Sequence, residues 1–143
     1  RGRSTPTGTK ELPLNPLELV LASGATFIAR GYSHGIELLK NIFKQAITHK
    51  GFSVVDVLQV CVTYFDMYEY YNKKAYELKD VAADNYDSAL QKIREWDYNQ
   101  DKPISLGVFY KKDMPVFGQD LPREKLPSLD RKNKIKEILN VSI

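Results

Sequence analysis

ATFIARGYSHGIELLKNIFKQAITHKGFSVVDVLQVC, residues 25–61, is the stretch that decides the fold. Ala25 to Ala29 is a brief apolar run containing Thr26, Phe27 and Ile28, too short for a helix and flanked by Gly24 and Gly31, so it reads as a buried strand. Ser33 then stands where a helix cap belongs. After it, Ile36, Leu39, Phe43, Ala46 and Ile47 recur at helical spacing, with the charged Glu37, Lys40 and Lys44 between them, until Gly51 follows Lys50 as a terminator. Phe52 to Val62 brings Val54, Val55, Val57, Leu58 and Val60, a second buried strand interrupted by Asp56 and Gln59. Strand, crossover helix and strand joined by short turns form a βαβ unit, whose right-handed crossover makes the two strands parallel. The fold class is α/β, a mostly parallel sheet flanked by helices.

Outward from this unit the pattern is less regular. Upstream, Asn15 is a good N-cap and Pro16 suits the first helical position; Leu17, Val20 and Leu21 share a face, and Gly24 predicts a stop near Ser23. The polar, Gly/Ser/Thr/Pro-containing residues Arg1 to Leu12 read as a surface segment or as the tail of a loop whose earlier half is missing. Downstream, the tyrosine-rich stretch Tyr64 to Tyr76 predicts a short helix. A second helix runs from a cap at Asp84 or Asn85 through Leu90 and Ile93 to Trp96, and Ile104 to Tyr110 reads as a final strand. Pro115, Pro122 and Pro127 then interrupt the chain before a last amphipathic turn at Ile135, Ile138 and Leu139. The domain boundary is accordingly placed between residues 1–119 and a tail of residues 120–143.

Composition narrows the function classes. A chain of 143 residues can bury one sizeable core. The net charge of +3 is spread along the sequence, its densest basic run being Arg131 to Lys136, which is too little clustering for a nucleic-acid footprint. No apolar run approaches the roughly twenty residues that span a bilayer, and the first residues do not form a signal peptide, so a cytoplasmic location without membrane partners is expected. The absence of an initiating methionine at Arg1 reads as a fragment.

One cysteine cannot form an internal disulfide. Cys61 is a small buried hydrophobe, a reactive thiol, or a ligand whose companions lie elsewhere. In open α/β sheets ligands sit outside the carboxyl ends of parallel strands, and Cys61 falls at such an end. The default for a lone cysteine in a strand is a partly buried structural thiol. His34 and His49 bracket one helix, too far apart to share a ligand, and read as surface groups. Tyr64, Tyr68, Tyr70, Tyr71 and Tyr76 read as packing, although an aromatic cover over a cofactor would look the same. Asp56 and Gln59 need hydrogen-bond partners if buried.

The run Asp56-Val57-Leu58-Gln59-Val60-Cys61-Val62-Thr63-Tyr64 resembles the D-x-L-Q-x-C-x-T-Y segment of 2-oxoacid:ferredoxin oxidoreductase β subunits. Ser4-Thr5-Pro6, Leu14-Asn15-Pro16-Leu17 and Leu21 to Gly31 are similar to consecutive upstream segments of that family, and Gly107-Val108-Phe109-Tyr110 to its last strand. The resemblance runs from Ser4 to Phe117. It implies the C-terminal half of a thiamine-diphosphate-binding fold and a definite reaction. A 2-oxoacid is decarboxylated on thiamine diphosphate, electrons pass through iron-sulfur clusters to ferredoxin, and coenzyme A accepts the acyl group. It also implies that Cys61 is the fourth ligand of a 4Fe-4S cluster whose other three cysteines lie in the first half of the subunit.

The departures define what is expected of the chain alone. The family commonly has proline before this cysteine and asparagine after the tyrosine, where the chain has Val60 and Phe65-Asp66. Its Gly-Asp-Gly motif and asparagine-containing segment, which hold thiamine diphosphate and magnesium, do not occur. No catalytic residue is therefore assigned, no cofactor is expected to be held by this chain alone, and the chain alone is expected to be inactive. The expected partners are the remainder of the β subunit and the α subunit, with ferredoxin, coenzyme A and the 2-oxoacid in the complete enzyme. The open sheet edge of half a domain favours a homo-oligomer. The rival reading is a non-catalytic α/β assembly module that keeps this fold and uses Cys61 for packing.

Overall fold

The computed structural model describes residues 5–8, 10–79, 84–96 and 100–116. The expected boundary at 119–120 and the tail helix lie outside them. Asn15 opens α1 (Pro16–Ala22): its side-chain oxygen accepts the Glu18 N–H at 3.3 Å, and Ser23 closes the helix as the glycine stop at Gly24 predicts. β1 (Phe27–Tyr32) follows, buried at all six positions.

α2 (Ile36–Thr48) crosses over to β2 (Ser53–Leu58), which pairs parallel to β1 with Phe27 opposite Ser53 and Arg30 opposite Asp56. The βαβ unit is as the sequence reads, except that β1 starts at Phe27 and runs to Tyr32 rather than covering Ala25 to Ala29, and with three further local differences. Ser33 does not cap α2; its N–H is engaged with Leu58 O at 3.0 Å, extending the β1–β2 ladder, and Gly35 takes the cap position without a side-chain bond. β2 ends at Leu58 rather than Val62, and it is half-buried throughout because it forms the sheet edge. The inward face of α2 is not the Ile36–Phe43–Ile47 stripe. Ile42 is its buried residue, supported by Leu38 and Ala46, whereas Ile36, Phe43 and Ile47 are exposed. The helix carries two apolar stripes, and the sheet takes one.

The tyrosine-rich segment forms a helix only over α3 (Tyr68–Lys74). Ala75 then turns extended as β3 (Ala75–Glu77), because a parallel partner is at hand. α4 (Tyr86–Glu95) is capped by Asn85, whose side chain accepts the Ser88 N–H at 2.9 Å. The last strand, β4 (Ile104–Lys111), lies antiparallel to β1 and parallel to β3, giving the order β2-β1-β4-β3.

Helices cover both faces of the sheet. α1 and α4 bury Leu17, Leu21, Ala89 and Ile93 against Ile28 and Phe109 on one face; α2 packs Ile42 against Phe27 and Ala29 on the other. Asn15 also ties the first pair together, its Nδ2 donating to Ile93 O at 3.3 Å. A further cluster, Tyr32, Val60, Trp96, Ile104 and Leu106, contains residues from the ends of β1 and the segment after β2. Among the described residues no helix is long and apolar enough to cross a membrane.

At the opposite end of the sheet His49 departs from the surface position expected of it. Its side chain is fully buried, tilted against Phe27 with ring centroids 5.5 Å apart, and its Nε2 lies 2.9 Å from Thr26 Oγ1. Nδ1 is 3.3 Å from Asp113 Oδ1, close enough for electrostatic contact but off the line of a hydrogen bond. The residue after Lys50 must be glycine for this packing: at φ +141° a Cβ on Gly51 would stand 2.1 Å from Thr26 Oγ1 and 2.8 Å from His49 Nε2.

Candidate functional site

The carboxyl ends of β1 and β2 carry the side chains with chemical potential. Past Leu58 the chain leaves the sheet. Gln59 is exposed, Val60 is 8% exposed and anchors the segment, and Cys61 emerges with its thiol exposed. The Phe65 N–H donates to Cys61 O at 2.9 Å and closes the turn, after which Tyr68 N–H donates to Asp66 Oδ1 at 3.0 Å at the start of α3. The cysteine is thus held at the open rim of the sheet by an anchor on one side and a closed turn on the other.

Beside this turn is a cavity of about 560 Å³. Phe65, Tyr70, Tyr71 and Trp96 give it aromatic walls, Met67 and Leu58 continue them, and Asp56 contributes a carboxylate. The rings form a connected group: Tyr71 meets Tyr32 edge-on at 5.6 Å and Trp96 edge-on at 6.2 Å, and Tyr68 lies 6.4 Å from Tyr32. Burial raises the phenols of Tyr32 and Tyr71 above their ordinary value, and the neighbouring phenols and carboxylates, Asp66 for one and Asp56 for the other, push in the same direction. Tyr64, by contrast, is exposed, and Tyr76 belongs elsewhere, donating from its hydroxyl to Glu95. His34 is exposed beside this group, as expected of it, with its ring 6.0 Å from that of Tyr32.

Asp56, polar inside β2, has a charged partner that no local pattern names. The partner is Arg30, whose Nε donates to Asp56 Oδ2 at 2.8 Å. Arg30 is wholly buried, its guanidinium 4.8 Å from the Trp96 ring and 5.6 Å from that of Phe109. The available signal was a charged residue inside the apolar run of β1, with its opposite charge inside β2. Among the described residues no group of three His, Cys, Asp or Glu side chains is placed to hold a metal ion.

Residues 61–125 match the family described as the C-terminal part of the pyruvate ferredoxin oxidoreductase β subunit. The chain is 35% identical to a 2-oxoacid:ferredoxin oxidoreductase subunit β of Saccharolobus solfataricus, over 90% of this chain and 49% of that protein. It is 36% identical to subunit β of 2-oxoacid:ferredoxin oxidoreductase 1 of Aeropyrum pernix, over 88% and 43%. Among solved structures, the 2-oxoglutarate:ferredoxin oxidoreductase of Magnetococcus marinus, with 2-oxoglutarate, coenzyme A and succinyl-CoA bound, superposes with a TM-score of 0.73 at 27% identity, covering 94% of this chain and 47% of that one. The chain spans about half the length of these relatives. In sequence and in fold the chain is thus a relative of 2-oxoacid:ferredoxin oxidoreductase β subunits, its residues 61–125 matching the C-terminal family.

Proposed function

We propose that the chain serves, as part of a complete β subunit, in the coenzyme A-dependent oxidative decarboxylation of a 2-oxoacid with reduction of ferredoxin, and that Cys61 is its ligand to a 4Fe-4S cluster. The observation that carries this reading is the placement of Cys61: exposed just beyond the carboxyl end of β2, on an anchored turn, at the first residue of the family match. Soft sulfur suits iron, and a thiolate fixed at a strand end holds an electron-transfer centre in a defined place. When bound, the cluster supplies one-electron transfer from the substrate towards ferredoxin. The chain's own contribution is to present the thiolate on a turn beside the aromatic-walled cavity and to offer surfaces to the rest of the assembly. For the last of these, the unfilled α2 stripe of Ile36, Phe43 and Ile47 is suited to contact with a partner subunit.

Thiamine diphosphate and magnesium belong to the other half of the subunit in this reading. No step is assigned to this chain through that cofactor.

The test is Cys61→Ala in the complete subunit with its partner subunit, followed by iron and sulfide analysis and electron paramagnetic resonance. Loss or degradation of the 4Fe-4S signal, with loss of acyl-CoA formation, is expected. Cys61→Ser should at best retain a cluster of altered potential, since oxygen is the harder ligand. An unchanged iron content and a normal reduced-cluster signal in Cys61→Ala would instead mean that the chain acts as an assembly module.

A further inference from the structure

We infer that the apolar stripe of α2 is covered by the same stripe of a second copy of this chain, the two helices packed antiparallel about a twofold axis. This names an occupant for the surface left open above and does not depend on the reading of Cys61. Ile36 is 61% exposed, Phe43 42% and Ile47 81%, whereas the only residue the helix buries fully is Ile42. Spacings of seven and four residues set the three on one helical face, and grouped large apolar side chains in water mark a contact surface.

The charges beside the stripe select the partner. Glu37, Lys40 and Lys44 follow one another at spacings of three and four, so they form a single flank. Glu37 and Lys40 are joined at 3.0 Å, yet their side chains remain 82% and 66% exposed and have room for a further partner. Glu37 and Lys44 carry opposite charges two helical turns apart, a rise of about 10 Å.

In a twofold interface a contact of one residue with another recurs with the two roles exchanged. A helix therefore matches itself antiparallel when opposite charges stand at the two ends of one flank, as Glu37 and Lys44 do. With Glu37 level with the second copy's Lys44, Lys44 is level with the second copy's Glu37. The same register sets Ile36 between the second copy's Phe43 and Ile47, and Phe43 between the second copy's Ile36 and Leu39. The two Lys40 side chains come nearest the axis, where each keeps Glu37 of its own helix as counter-charge. A parallel pair would instead place Glu37 beside Glu37 and Lys44 beside Lys44, which repel.

Size sets the strength. A helix of 13 residues is about 20 Å long, so the pair buries less than the roughly 800 Å² per partner of a standard interface. The dimer is reversible, with a dissociation constant on the order of micromolar or weaker.

The experiment is sedimentation equilibrium on the full chain across the micromolar range, for the parent, Ile47→Ser, Glu37→Lys, Lys44→Glu and the double charge reversal. The parent should show a concentration-dependent dimer. Ile47→Ser and each single reversal should weaken it about tenfold, and the double reversal should restore it. An equimolar mixture of the two single reversals should form a mixed dimer, because each copy then meets its opposite charge at both ends. The substituted side chains are exposed, and an unchanged circular dichroism spectrum shows that each variant keeps the fold. A parent that stays monomeric overturns the inference. So does a dimer indifferent to these substitutions, which would pair through another surface such as the open edge of β2. In the complete assembly, substitutions that release the remainder of the β subunit or the partner subunit, and not a second copy, overturn it as well. None of these results bears on Cys61, which iron analysis decides separately.

Discussion

Thr26 Oγ1 lies 2.9 Å from His49 Nε2 and, on its other side, accepts the Phe52 N–H at 2.9 Å, so one hydroxyl ties the start of β1 to both sides of the turn between α2 and β2. The segment after β4 joins the same knot through Lys112 N–H to Thr26 O at 2.8 Å and Met114 N–H to Lys50 O at 3.0 Å. Thr26→Val preserves the shape and removes the hydroxyl, leaving the imidazole nitrogen and the Phe52 amide without their partner. A loss of about 1–3 kcal/mol in urea unfolding is expected. Thr26→Ser keeps the oxygen and should cost under about 1 kcal/mol. A valine variant as stable as the parent would show that the hydroxyl bonds contribute nothing net.

Glu18 on α1 and Arg94 on α4 form an ion pair, and the hydrogen bond from Arg94, reinforced by its charge, holds the Glu18 carboxyl below its ordinary pKa against the opposing effect of burial. A carboxyl depressed in the folded state adds stability above its unfolded pKa, and that contribution disappears as pH falls through the folded value. The parent should therefore exceed Glu18→Gln in stability at pH 7, with the two curves converging in acid. Both groups are partly exposed, so 1 M salt should narrow the gap at pH 7. Parallel curves from pH 7 to pH 3 would rule out the pair as a source of pH dependence.

Tyr32 is buried, and its hydroxyl has no hydrogen-bond partner among the described residues. Burial, followed by the nearby Tyr68 and Tyr71 phenols, raises its pKa. A phenol raised in the fold contributes stability below its unfolded value of about 10, and that contribution is lost as pH rises through the folded value. Tyr32→Phe should match or exceed the parent by up to about 1 kcal/mol at pH 7, because an unpaired hydroxyl leaves the core. It should also unfold less steeply in alkali. Guanidinium titrations at pH 7 and above pH 10 make the comparison; a destabilisation of about 2 kcal/mol at pH 7 would reveal a partner for that hydroxyl.

What the sequence disclosed was local. The caps at Asn15 and Asn85, the crossover from β1 to β2 and the location of Cys61 at a strand end are set by neighbouring residues, and they were legible. The unforeseen features depend on distant partners. β3 exists because residues 104–106 lie alongside Ala75–Glu77, and a three-residue run has no periodicity of its own. Ser33 has the chemistry of a cap but spends its N–H on Leu58, and His49 is enclosed by residues from both ends of the fold. On α2, periodicity located two apolar stripes without saying which one faces the sheet. Asp56 announced its need for a partner, but choosing Arg30 required the β1–β2 register, which no local pattern supplies.

The placement of β4 has a consequence for biosynthesis. Its residues emerge from the ribosome after β1, β2 and β3, yet it lies inside the sheet and separates β1 from β3. Phe27 waits for Lys111, and Ala75 for Ile104, before either finds its neighbour. At roughly 5–20 residues per second, β1 spends several seconds with one flank open while translation proceeds. Nascent chains stopped before residue 104 should engage holdase chaperones through the Phe27–Tyr32 segment, and release should follow once β4 has cleared the exit tunnel.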